Sequence, residues 1–180
     1  MNIFILAGSN RKDATSTQIC RYLEKELQAR DCATVFFDLY EKPVSFYTPE
    51  GYPEGDANLT EMKKAAAAAD AIILATPEYH GGMSGVLKNA LDHMGGAEFD
   101  SKAVLSVSSA GGAVGVSSLQ QMQVLVRNVH GINSPEWISI GGDQREFDSS
   151  GEPASVAVKE RAIRALNYFL QLAGQLKKEA

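Results

Sequence analysis

Short apolar stretches alternate along this chain with segments of helical periodicity, and no other feature restricts the fold as much. Residues 3–7 form a continuous apolar run ending at Gly8, the pattern of a strand buried on both faces. Further strands are predicted at 34–39, 71–75, 103–107 and 137–140. Between them, 15–30 places Ile19, Leu23 and Leu27 four apart behind a Thr15 or Ser16 cap. Residues 59–69 form an alanine-rich helix and 84–94 another. In 117–129, Leu119, Met122, Leu125 or Val126, and Val129 keep helical spacing. Pro153 opens a last helix with Ile163, Leu166, Phe169, Leu170 and Ala173 as its buried stripe. Lys177 and Lys178 suit the negative end of its dipole. Residues 40–57, rich in proline, glycine and aromatics, read as a long irregular loop.

Five strands alternating with five helices call for a parallel sheet covered on both faces, an α/β three-layer sandwich. Right-handed crossovers leave few layouts. Residues 1–180 are read as a single domain, with no internal repeat and no separating linker. A net charge of -5 argues against a nucleic-acid surface, which needs a basic field. No apolar run approaches the ~20 residues that span a bilayer, and the first residues lack a basic region and a cleavage site. The cytoplasm is therefore the expected compartment, with no membrane partner. Cys20 and Cys32 are too few for a disulfide framework or thiolate cluster, and both are read as reduced and structural.

In doubly wound sheets, ligands bind beyond the carboxyl ends of the strands, where the strand order reverses. With the order 2-1-3-4-5, known from flavodoxin-like folds, that reversal lies between strands 1 and 3. The two loops there are the oddest segments of the chain. The first, G-S-N-R-K-D-A-T-S-T, leads from a strand into a helix N-terminus, where free N–H groups and the dipole favour an anion. It carries hydroxyls at Ser9, Thr15, Ser16 and Thr17 and a guanidinium at Arg11, suited to grip phosphate through two parallel bonds. Helix capping alone is the plainer alternative. Neither G-x-x-x-x-G-K-[ST] nor, after strand 1, G-x-G-x-x-G is present.

The second loop, P-E-Y-H-G-G-M-S-G, offers mostly bare backbone. A planar ring with carbonyls along one edge needs N–H donors there. Gly81 and Gly82 permit close approach and unusual φ, Pro77 stiffens the strand exit, and Tyr79 and His80 can cover a ring or simply pack. A tight turn capped by Ser84 is the alternative. A third segment, S-S-A-G-G-A-V-G, has the same character and can close over the ring's far side.

P-E-Y-H-G-G-M-S-G-V-L-K-N-A-L-D, with G-S-N-R upstream and S-S-A-G-G downstream, resembles the NADPH-dependent FMN reductase family, most closely its azobenzene-reductase branch. The resemblance implies a flavodoxin-like fold. It implies Ser9, Arg11, Ser16 and Thr17 around the FMN phosphate; Pro77, Glu78, Tyr79, His80 and Gly81 along the isoalloxazine; and Ser109, Ala110, Gly111 and Gly112 bordering it. His80 stands where the family often has Asn, and Gly82 where it often has Ser or Thr. The implied reaction passes a hydride from NADPH (or NADH) to FMN and on to a small acceptor such as free FMN, an azo compound, a quinone or chromate. A homodimer or homotetramer with flavin sites near subunit interfaces is also implied.

A flavin carries the redox chemistry itself, so no catalytic side chain is assigned. His80 is read as an exposed hydrogen-bonder, and His93 and His130 as helix-end residues. Without C-x-x-C or a second ligand at i+4, no metal site is expected. Ser109 lacks an Asp–His pair, and Glu78 and Asp92 are read as structural. Tyr47 and Tyr52 suit either a lid or a packed loop. An electron carrier without its own NADPH reaction is the rival function, weakened by Arg11, because carriers hold phosphate without a fixed positive charge. A flavin-free scaffold serving a partner protein is the second rival.

Overall fold

Why the apolar runs become strands is plain in the computed structural model, which describes residues 1–51 and 55–177. β1 (Asn2–Ala7) and β3 (Ala71–Tyr79) sit side by side in the sheet centre, so both faces of each are covered. β2 (Ala33–Asp38) flanks β1, and β5 (Ala103–Ala110) flanks β3. The far edge is shared by β6 (Ile132–Asn133) and β7 (Ile138–Gly141), both parallel to β5. The order is thus β2-β1-β3-β5-β6, the predicted flavodoxin-like arrangement with its fifth strand in two pieces.

One face of the sheet packs α1 (Thr15–Gln28) and α6 (Val156–Leu176), burying Leu23, Leu27, Leu166 and Phe169 against Ile3, Ile5 and Ile73. The other packs α2 (Ala57–Ala68), α3 (Gly85–Asp92) and α5 (Val116–Asn128), burying Met62, Leu87 and Met122 against Phe4, Leu6, Ile72 and Leu74. Each such fully buried side chain contributes about 1.5–3 kcal/mol. Alternate residues of β1 and β3 therefore serve opposite cores, which is why the runs lack a polar phase. Between α3 and β5 lies a single turn, α4 (Gly96–Phe99). No helix among the described residues is long and apolar enough to cross a membrane.

The strands differ from expectation at their carboxyl ends. β3 runs past residue 75 to Tyr79, straight through Pro77. The Ala75 carbonyl accepts from Gly8 N–H at 2.8 Å, so residue 77, two further on, faces the same side. β1 pairing has already ended there, at Ala7 opposite Ala75, and the missing proline N–H costs no ladder bond. β5 continues through Ser108, Ser109 and Ala110, all buried and paired with β7. Ser108 Oγ donates to the Gly115 carbonyl at 2.6 Å, which satisfies one buried hydroxyl of this strand. Lys177 pairs with Asp70 at 3.1 Å. Lys178 and Tyr52 lie outside the described residues.

Candidate functional site

The two unusual loops meet. A Cβ on Gly8 would lie 2.6 Å from both the Ala75 carbonyl oxygen and Leu87 Cβ, so only glycine lets the end of β1 press this closely on β3 and α3. Ser84 locks the junction. Its Oγ donates to the Gly8 carbonyl at 2.6 Å and accepts from Leu87 N–H at 3.1 Å, capping α3. Its own N–H donates to Thr76 Oγ1 at 2.9 Å. One serine therefore caps a helix and fastens the first loop to the second.

At the start of α1 the usual capping device is missing. The N-cap is Ala14, no side chain caps the helix, and its first turn carries no acidic residue. Ser16 and Thr17 are buried, yet their hydroxyls have no partner among the described residues. Ser9 is fully buried, its Oγ accepting from Arg11 N–H at 3.1 Å. Arg11 is exposed and makes no ion pair among the described residues. Buried hydroxyls left unpaired cost free energy, and an uncapped helix start attracts anions. This donor set fits a phosphate ester, and capping alone does not account for it.

The second loop is a hairpin, which the sequence reading missed. β3 turns into β4 (Gly82–Met83), with Glu78 opposite Met83 and Tyr79 opposite Gly82. The two turn residues, His80 and Gly81, have φ of 51° and 73°. Two positive values make a type I′ turn, the geometry that favours Asn-Gly. His80 thus stands in a position Asn commonly fills, for a conformational reason shared by both residues. Of the two glycines that permit unusual φ, Gly81 uses it, whereas Gly82 lies close to the Gln121 side chain. The signal for the hairpin was the single Gly81 between two pairable dipeptides.

α5 braces this hairpin. Gln121 Oε1 accepts from Met83 N–H at 3.1 Å, and its Nε2 donates to the Gly81 carbonyl at 3.3 Å. Glu78 Oε2 accepts from the N–H and Oγ of Ser118. Neither Gln121 nor Ser118 was singled out in the sequence, because α5 positions facing a loop carry no periodic signature.

A small cleft joins the three segments. It is lined by Arg11 and Thr15 from the first, Pro77, Glu78 and Tyr79 from the second, Ser109, Ala110 and Gly111 from the third, and by Arg145. Ser9, Ser16 and Thr17 are buried and do not line it. His80, Gly81 and Gly112 lie outside the lining. A larger concavity of about 1050 Å³ lies elsewhere, between α3 and α5. Ser16 and Thr17, with their unpartnered hydroxyls, and the two arginines of the small cleft are not among the residues that line this concavity.

Neighbouring groups are structural. Burial pushes the Asp38 carboxyl above its ordinary range at the end of β2, with Tyr40 N–H pulling the other way. Burial drives the Cys20 thiol far upward, away from reactivity. The Tyr47 ring packs edge-on against His93 at 5.4 Å, and its N–H donates to Asn89 Oδ1, so Tyr47 belongs to a packed loop. His130 is exposed, 4.0 Å from Asp100. Among the described residues, no group of three His, Cys, Asp or Glu is placed to hold a metal ion.

A parallel sheet in this order, with a donor-rich crevice at its topological switch point, defines a flavodoxin-like α/β protein. The chain belongs to the NADPH-dependent FMN reductase family, which matches residues 1–145. It is 36% identical over 143 residues to the FMN-dependent NADPH-azoreductase of Staphylococcus aureus (strain USA300), covering 77% of this chain and 76% of that one. Its fold is similar to FerB, a flavoenzyme NAD(P)H:(acceptor) oxidoreductase from Paracoccus denitrificans, with a TM-score of 0.83 at 17% identity, over 98% of this chain and 99% of that one. The apo form of the NADH:FMN oxidoreductase EMOB aligns with a TM-score of 0.75 at 20% identity, over 99% and 91%.

Proposed function

We propose that this protein uses NADPH to reduce FMN held in the crevice at the ends of β1, β3 and β5, and passes the electrons to a small acceptor, an azo compound first among them. Family membership supports the nucleotide and flavin, and the Staphylococcus aureus relative supports the acceptor. The observation that carries the site is the uncapped start of α1, with Ser16 and Thr17 hydroxyls buried and unpartnered beside Arg11.

Each wall then has its task. Ser9, Arg11, Ser16 and Thr17 would hold the phosphate, Arg11 as its charged clamp. The backbone of Pro77, Glu78, Tyr79, His80 and Gly81 would flank the ring on one side, and Ser109, Ala110, Gly111 and Gly112 on the other. Bound FMN supplies the two-electron chemistry. Tyr79 is exposed and would contact an approaching acceptor. No general acid or base is assigned.

The same reading includes a homodimer or homotetramer. The groove between α3 and α5, with Leu91, Met94 and Leu125 along it and Val124 exposed at its rim, is the face a second copy would cover. Its lining includes Met83 and Gln121, the pair that braces the hairpin. Sedimentation velocity reads the assembly directly, and a monomer at micromolar concentration refutes this part.

The deciding assay mixes purified protein, FMN and an azo dye, and follows NADPH oxidation and dye bleaching together. Turnover that needs all components is expected. Flavin binding without NADPH oxidation would favour the electron carrier.

A further inference from the structure

We propose that Arg145, a residue the sequence reading did not assign, is a second guanidinium ligand of the phosphoryl group at the start of α1, facing Arg11 across the crevice. The proposal rests on the FMN reading above and adds a residue from the opposite end of the fold. Arg145 lines the same cleft as Arg11 and Thr15, although it follows the last strand of the sheet.

Its position is built into the fold. It ends a 3-10 turn, Gly142–Arg145, that leaves β7 at Gly141. A Cβ on Gly141 would collide with the carbonyl oxygens of Gly112 and Ala113, so this turn is pressed onto the loop after β5. From α6, Arg161 Nη2 donates to the Ser139 carbonyl at 2.8 Å and to Gln144 Oε1 at 3.0 Å. The turn is held from both sides.

The side chain is preset for an anion. Nε donates to the Gly142 carbonyl at 2.8 Å, within its own turn. The two terminal nitrogens have no partner among the described residues, and these are the atoms that grip phosphate in parallel. Arg21, Arg30 and Arg164 pair with glutamates, whereas Arg11, Arg127, Arg145 and Arg161 pair with no carboxylate among the described residues. Two of these, Arg11 and Arg145, line one cleft, whose carboxylate, Glu78, is turned to Ser118 N–H and Oγ. Like charges at close range repel, and an anion between them turns that repulsion into attraction. The unpartnered Ser16 and Thr17 hydroxyls point independently to the same ligand.

The test titrates FMN and riboflavin, which differ by the phosphate, into flavin-stripped wild-type protein and Arg145→Gln, read by quenching of flavin fluorescence. FMN affinity of the variant should fall about ten- to hundredfold, while riboflavin affinity stays within about twofold and the flavin-free unfolding midpoint does not move. Unchanged FMN affinity in the variant overturns the proposal alone, as does an equal loss for riboflavin. Wild-type protein that binds neither flavin overturns this proposal together with the FMN reading.

Discussion

Glu78 caps a helix to which it does not belong. Its Oε2 accepts from Ser118 N–H at 2.9 Å and from Ser118 Oγ at 3.0 Å. The N-cap of α5 is Gly115, which has no side chain to offer, so a carboxylate from the end of β3 takes over the first turn. The same contact sets the spacing between the hairpin and the loop after β5, the two walls that would enclose a flat ring.

Glu78→Ala should therefore cost about 1–2 kcal/mol of stability in urea unfolding, the size of a lost cap. Glu78→Gln keeps an acceptor and should lose less. Equal stability of Glu78→Ala and wild type would show that this cap contributes nothing.

Arg11→Ala should weaken FMN by roughly 1.5–3 kcal/mol, about ten- to hundredfold, because a charge-assisted phosphate contact is removed. Riboflavin should bind as before. Isothermal titration with both flavins checks this, and unaltered FMN affinity takes Arg11 out of the phosphate site.

The His80–Gly81 turn makes a prediction of opposite sign at two adjacent positions. Gly81→Val forces a β-branched residue to a φ of 73° and should destabilise by roughly 1–3 kcal/mol. The space around a Gly81 Cβ is open, so the cost is conformational. His80→Asn should be neutral or mildly stabilising, since Asn tolerates this region. Thermal unfolding of both variants decides; a Gly81→Val protein as stable as wild type would refute the turn assignment.

Asp56 caps α2 and shows how acid should act on the fold. Burial opposes its charge, but the N–H groups of Leu59 at 2.9 Å and Ser45 at 2.8 Å outweigh that and hold its carboxyl below the ordinary range. A depressed folded-state pKa gives stability that is present above the unfolded value of about 3.9 and lost as pH falls through the folded value. The stability gap between wild type and Asp56→Asn should be open at pH 7 and close below about pH 4. Asp56→Ala should cost about 1 kcal/mol at pH 7. A gap that stays constant from pH 7 to pH 3 would contradict the carboxylate's role.

Much of the architecture was legible because the central strands have no polar phase. Residues 3–7 and 71–75 can only be two-sided strands, and the helical stripes at Leu23 and Leu27 or Leu166 and Phe169 supply their covers. The loop proposed for the phosphate stands out in the sequence as well, since hydroxyls, Arg11 and a helix start fall within ten residues. The strand ends were not. Thr76, Pro77 and Glu78 look like an exit, and only the loss of the β1 neighbour explains how a proline can sit in a paired strand. Arg145 sits in a polar, turn-rich stretch, and what brings it to the cleft that Arg11 lines is a packing contact at Gly141 that no local pattern announces.

β3 outruns β1, and the main chain of residues 76–79 pairs with β5 and β4. A ligand lying flat against that ribbon would meet atoms common to every amino acid. Tyr79 and His80 project outward from it. Those two side chains can be exchanged without touching the main-chain pairing, so the mouth of the proposed site can change its guests while the ribbon behind it keeps its form.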